Sequence, residues 1–125
     1  MSFYFLTQDP DHDEVHPDDV AAALTNDESL ALLDVRSEAE HNSLRLTNSK
    51  NVPVQELSVE ALEAAGLGKA AKNKELYVYC RSGGRSAMAC AILKDLGYTN
   101  VKNISGGLLE WEAAGHGHVV SDHHD

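Results

Sequence analysis

Apolar and polar positions along this chain change over in short blocks, and two block types take turns. Leu30-Ala31-Leu32-Leu33-Asp34-Val35 and Leu76-Tyr77-Val78-Tyr79 are dense apolar runs too short to make a helix of their own. Runs of that length predict strands buried on both faces. Val101-Lys102-Asn103-Ile104 predicts a third. Between them the spacing is helical. His16-Pro17-Asp18-Asp19-Val20 opens a first helix through Leu24, with proline at a tolerated first position and two acids at the positive end of the dipole. Little order is expected before it. Ser37-Glu38-Ala39-Glu40 has the Ser-x-x-Glu form of a capping box. A helix from Ser58 to Ala65 stops at Gly66, and one from Ser86 to Leu96, with Ala87, Ala91, Ile92 and Leu96 near helical spacing, stops at Gly97. A last helix, Leu108 to Ala114, is closed by Gly115. Strands alternating with helices predict an α/β domain built on a parallel sheet covered on both faces.

Length and charge narrow the function. A chain of 125 residues with 42% hydrophobic content is one domain's worth of core, and no internal repeat or linker divides it. The domain core is expected at about 16–116, with acidic, histidine-containing tails at 1–12 and 117–125. The net charge is −10, unevenly distributed: residues 1–35 hold nine acids and residues 106–125 four, neither with any Lys or Arg, and all ten basic residues fall between. That balance argues against nucleic acid as a partner, since cations must displace counterions there. A local basic pocket in the middle can still take a small anion. Neither a membrane span nor a signal peptide is readable, so a soluble, cytoplasmic protein without membrane partners is expected.

Cysteine usage points to one loop. Cys80 and Cys90 match no disulfide framework, redox pair or zinc motif. Cys80 ends the second predicted strand, where ligands bind in parallel sheets, and Arg81-Ser82-Gly83-Gly84-Arg85-Ser86 leads from it into a helix. Two glycines let the backbone curl its N–H groups inward into an anion-binding nest beside the helix N-terminus. Those N–H groups, the dipole and the guanidinium of Arg81 or Arg85 are expected to favour the Cys80 thiolate and to cradle a sulfur atom or an oxyanion. A buried cysteine that merely packs would not account for two arginines and two glycines beside it. For Cys90, among Ala87, Met88, Ala89 and Ala91, packing is the expected role. Four residues separate Cys80 from Arg85, one fewer than a cysteine phosphatase needs to encircle a phosphoryl group, so the ring suits a single sulfur atom.

Taken in order, Leu33-Asp34-Val35-Arg36 followed by Glu40, then Asn51-Val52-Pro53, the Cys80 to Ser86 loop, and Ser105-Gly106-Gly107 with Trp111 resemble the rhodanese family from about His16 to His116. The resemblance implies a five-stranded, mostly parallel sheet flanked by helices, with Cys80 as the persulfide carrier. It also implies that backbone N–H groups from Arg81 to Arg85 hold the sulfur, with Asp34 and Arg36 in support. Two arginines in the loop suit an anionic donor such as thiosulfate or a low-molecular-weight persulfide. One segment departs from the family pattern: Leu44-Arg45-Leu46-Thr47-Asn48-Ser49 stands where Gly-His-Ile-x-Gly-Ala is usual.

The expected activity is therefore a thiosulfate sulfurtransferase type of transfer, from an anionic donor through Cys80 to a thiol or cyanide acceptor, without metal or organic cofactor. The alternative is a sulfur-carrier or protein-binding module with little turnover on small molecules, a protein then being the acceptor. Leu108 and Trp111 are expected in the core, and His12 and His41 on the surface. Four of the seven histidines lie in 116–124, but a flexible tail loses too much entropy to make a built metal site.

Overall fold

Parallel pairing between short strands far apart in sequence organises the computed structural model, which describes residues 13–121. In chain order the elements are β1 (Asp13–Val15), α1 (Pro17–Asn26), β2 (Ala31–Asp34), α2 (Glu38–Ser43), β3 (Leu44–Leu46), β4 (Lys50–Asn51), α3 (Val59–Ala64), β5 (Leu76–Tyr79), α4 (Gly84–Asp95), β6 (Val101–Ile104), α5 (Gly107–Ala113) and β7 (Val119–Ser121). Five strands form one sheet in the order β1-β6-β5-β2-β4, every pairing parallel. The expected α/β class and strand number are found, and the sheet is wholly parallel. The three apolar runs are its central strands.

Alternation along those strands sorts the core into two layers. Leu33 of β2 and Leu76 and Val78 of β5 face Leu62 of α3 and Ala89, Cys90 and Leu93 of α4. Leu32, Tyr77, Tyr79 and Ile104 face the other way, onto Val20 and Leu24 of α1 and Leu108 and Trp111 of α5. Each fully buried aliphatic side chain contributes about 1.5–3 kcal/mol relative to exposure, so both layers hold the strand ends in place.

Local signals set the helix starts. The His16 ring accepts the Asp18 N–H ahead of Pro17. Ser37 Oγ accepts the Glu40 N–H at 3.1 Å while Glu40 Oε1 accepts the Ser37 N–H at 3.0 Å, a complete capping box.

Two expectations are corrected. Residues 13–15, before the first helix, are a strand whose backbone pairs with Lys102–Ile104. Residues 119–121, expected in a tail, form β7 and pair antiparallel with β3 at Leu44↔Ser121 and Leu46↔Val119. Trp111 Nε1 donates to the Gly117 carbonyl at 2.8 Å, and His116 Nε2 lies 2.7 Å from Asp18 Oδ1. The atypical Leu44–Ser49 segment is thus a strand and turn clamped by β7. Its Leu46 N–H donates to the Tyr79 hydroxyl at 3.0 Å. His12, His123 and His124 lie outside the described residues.

Candidate active site

The peptide leaving β5 has no side chain to cap the helix it enters, and the Cys80 sulfur takes that place. Helix α4 begins at Gly84 with Gly83 as its N-cap, and no side-chain oxygen of the N-cap satisfies its first N–H groups. Instead Cys80 Sγ accepts the Gly83 N–H at 3.1 Å and the Ser86 N–H at 3.4 Å, with Ser86 Oγ 3.3 Å away. Cys80 is 1% exposed. Burial pushes its thiol up. Donation by the Ser86 hydroxyl, then by the Ser86 and Gly83 N–H groups, outweighs that and holds it below its ordinary value. Ser86 Oγ is also 3.2 Å from the Gly83 carbonyl. One hydroxyl proton serves two acceptors, so it turns to sulfur when the thiol ionises.

Only one of the two loop glycines is needed for the curl. Gly83 sits at φ +111°, which turns its N–H onto the sulfur. Gly84 is an ordinary first helical residue with open space where a Cβ would stand, so its expected part in the nest is not seen. A second glycine that matters comes from α5. Gly107, at φ +61°, lies so close beneath the loop that an added Cβ would stand 2.5 Å from the Cys80 carbonyl oxygen and 2.6 Å from that of Arg81. The Leu108 and Leu109 N–H groups donate to those same carbonyls at 2.9 and 3.0 Å. The N-terminus of α5 therefore fixes the base of the thiol loop.

The expected guanidinium acts on the thiolate through its charge, while its hydrogen bonds go elsewhere. Arg85 forms a two-pronged pair with Glu40, Nη1 to Oε1 at 2.8 Å and Nη2 to Oε2 at 3.1 Å. Arg85 beside it holds the Glu40 carboxyl well below the usual range, at about 2. Glu40 is locked in place by its own capping box, so the loop arginine is drawn to it. Arg81 is exposed, and among the described residues its guanidinium has no ion pair or hydrogen bond.

Asp34 and Arg36 hold the floor beside the loop. Asp34 is fully buried: Oδ1 accepts the Arg36 N–H and Nε–H, each at 2.9 Å, and Oδ2 accepts Nη2 at 2.8 Å. Arg36 Nη2 also donates to the Leu44 carbonyl, and its guanidinium lies over the Tyr79 ring. His41, expected on the surface, has a side chain only 14% exposed and places Nδ1 2.9 Å from Asp34 Oδ2. It sits one residue after Glu40, so the helix turn that offers Glu40 to Arg85 delivers His41 to the buried carboxylate.

A family model for the rhodanese-like domain matches residues 16–114. The chain belongs to the rhodanese-like domain family. It is similar to a sulfurtransferase of Allochromatium vinosum, 30% identical over 102 residues that make up 82% of this chain and 90% of that protein. In fold it matches the rhodanese-like domain of an Anabaena protein with a TM-score of 0.74, at 22% identity, covering 86% of this chain and 78% of that one. It also matches a thiosulfate sulfurtransferase of Pseudomonas aeruginosa with a TM-score of 0.72 and 30% identity, over 88% of this chain and 20% of that longer one. The two sulfurtransferase relatives support a sulfurtransferase or sulfur-carrier role of the rhodanese kind, and the Anabaena domain supports the fold alone.

In this rhodanese-like domain the second cysteine is built for packing. Cys90 is fully buried in the α4 layer, and burial pushes its thiol up to about 12. Beside the loop lies a cleft of about 390 Å³ between α2 and α5, lined by Arg36, Glu40, Leu44, Arg81, Leu109 and Glu112, among others. Two polar residues on the other side had no signal in the sequence. Asn103 Nδ2 donates to Glu14 Oε2 at 2.9 Å and approaches the Gly83 carbonyl at 3.4 Å, linking edge strand β1 to the loop. No helix among the described residues is long and apolar enough to cross a membrane.

Proposed function

We propose that Cys80 carries sulfane sulfur as a persulfide, taking it from an anionic donor, thiosulfate or a low-molecular-weight persulfide, and passing it to a thiophilic acceptor. The acceptor is cyanide, a small thiol or a protein thiol. The observation that carries this reading is the set of donors converging on one sulfur: the Gly83 and Ser86 N–H groups and the Ser86 hydroxyl, all within 3.4 Å of Cys80 Sγ. They favour a thiolate before the reaction and an anionic persulfide after it.

With thiosulfate the thiolate attacks the outer sulfur, the new S–S bond forms as the old one breaks, and sulfite leaves with the bonding pair. Cys80 is left as an ionised persulfide. In the second half-reaction the acceptor attacks the outer sulfur of that persulfide, and the electron pair of the broken bond returns to Cys80. Arg81 is the cation disposed to meet the incoming anion. Arg85 shapes the loop through Glu40, while Asp34 and Arg36 support it from below. Thiol, N–H and guanidinium groups suffice for both steps, without metal or organic cofactor. A catalytic thiol that must stay reduced suits the cytoplasm.

Steady-state kinetics with thiosulfate and cyanide test the proposal. Parallel double-reciprocal lines and saturation by both substrates, lost in Cys80→Ser, are the expected result. One stoichiometric loading followed by a stall would assign a sulfur carrier instead, and turnover by Cys80→Ser would remove Cys80 from the chemistry.

A further inference from the structure

Gly83 gives its N–H to the Cys80 sulfur, and its carbonyl is crowded with donors. The Ala87 N–H reaches that oxygen at 3.0 Å, the Ser86 hydroxyl at 3.2 Å and Asn103 Nδ2 at 3.4 Å. A carbonyl oxygen has two lone pairs. The Ala87 bond is part of the first turn of α4 and is fixed by the backbone. One lone pair is left for two side chains.

The two side chains are not equally free to choose. Asn103, on β6, is buried. Its amide nitrogen serves Glu14 Oε2 at 2.9 Å and the Gly83 carbonyl, one N–H for each. Both partners are acceptors, which fixes the amide with its nitrogen towards them. The cost falls on the other side: among the described residues Asn103 Oδ1 is buried without a hydrogen-bond partner. An apolar side chain of similar size would leave no such orphan, so packing does not account for an amide here. Ser86, by contrast, has a second acceptor in Cys80 Sγ at 3.3 Å and a single hydroxyl proton to give.

Resting on the assignment of Cys80 as the reacting thiol, we propose that Asn103 is a positioning residue: by donating to the Gly83 carbonyl it sends the Ser86 hydroxyl proton to the Cys80 sulfur. It acts through Ser86. Glu14, on edge strand β1, aims the amide, and Ser105 Oγ holds Glu14 in turn at 2.6 Å. Hydrogen bonds thus run from the sheet edge to the thiol. Without the amide the Gly83 lone pair is open, the hydroxyl returns to it, and the sulfur loses the donor that does most to offset its burial. The charged and titratable neighbours are not altered by a change at residue 103. Arg85 acts on the sulfur through its charge, Cys90 is buried near it, and Glu14 is exposed and keeps its bond from Ser105.

The test is a double-mutant cycle on the pH profile of Cys80 alkylation by iodoacetamide in the full chain. Asn103→Leu should move the profile up by about half to one pH unit and slow the reaction near neutrality about three- to tenfold, the scale of one hydrogen bond. In a Ser86→Ala background the same substitution should move the profile no further. Asn103→Ala removes the amide without filling its space and should behave alike, so the outcome does not hang on how leucine packs. Continued protection of Cys90 reports in each variant that α4 is folded. No shift in either Asn103 variant, or a shift of equal size with and without the Ser86 hydroxyl, overturns the proposal. Sulfur loading of the unaltered protein, followed by intact mass, tests the Cys80 assignment separately, because alkylation reads the thiolate whatever its donor. The predicted coupling in a protein that takes sulfur from no donor would keep the link between Asn103 and Ser86 and remove the sulfur-carrier assignment.

Discussion

Glu40 and Arg85 are 45 residues apart in sequence and meet through two parallel hydrogen bonds of 2.8 and 3.1 Å. Glu40 also closes the capping box of α2 on Ser37. One carboxylate therefore caps the start of α2 and restrains the thiol loop. Glu40→Ala should lower stability by about 1–2 kcal/mol, from a lost cap of about 1 kcal/mol and a partly exposed ion pair contributing less than that. The sign with pH follows from a carboxyl whose folded value, about 2, lies below its ordinary 4.5. Its contribution is fully present above pH 4.5 and fades as pH falls towards 2. Urea titrations of the unaltered protein and Glu40→Gln should differ at neutral pH and converge across that interval.

Ser86 donates to the Cys80 sulfur through both its backbone and its hydroxyl. Ser86→Ala removes the hydroxyl alone, so the thiol should ionise at higher pH and iodoacetamide should modify it several-fold more slowly near neutrality. Cys90, buried and pushed up to about 12, should resist the reagent in the folded protein. The pH profile of alkylation checks both, and an unchanged profile in Ser86→Ala would remove the hydroxyl from the account.

Gly107 marks the closest approach of α5 to the thiol loop. Gly107→Ala meets both the cost of a left-handed conformation, about 1–2 kcal/mol, and a backbone clash that no side-chain rotation relieves. A loss of about 3 kcal/mol or more, with disrupted Cys80 reactivity, is expected. Gly115→Ala, at a similar φ of +76° but with nothing within 4 Å, should cost only the conformational part. Thermal unfolding of the two variants makes the comparison.

Asp34 balances the charge of Arg36, which is only 5% exposed. Asp34→Ala leaves that guanidinium buried without its partner and should cost about 3–5 kcal/mol. Replacing both residues by apolar ones should cost less than the sum of the single changes, measured as a double-mutant cycle.

The parts of this fold legible in the sequence are those written in local pattern. The apolar runs at 30–35 and 76–79 became central strands because both faces needed covering, and the Ser37–Glu40 box appeared with both reciprocal bonds. What was not legible depends on pairing at a distance. Asp13-Glu14-Val15 and Lys50-Asn51 have no apolar alternation and are strands only because a neighbouring backbone accepts them. Val119–Ser121 is held by β3 in the same way. At the site, the cysteine and its loop stood out as a cluster, whereas the diversion of Arg85 to Glu40 depended on where α2 packs. His41 looked like any polar residue of an exposed helix until α2 laid it against Asp34. Gly84 looked equivalent to Gly83, yet only Gly83 takes the left-handed conformation.

The central claim is that Cys80 accepts a sulfur atom, and the most direct test is the intact mass of the protein before and after brief exposure to thiosulfate, beside the Cys80→Ser variant. A gain of one sulfur, about 32 mass units, reversed by cyanide or dithiothreitol and absent from the variant, is the predicted result. No gain with thiosulfate or with any small persulfide, or an equal gain in Cys80→Ser, would contradict it.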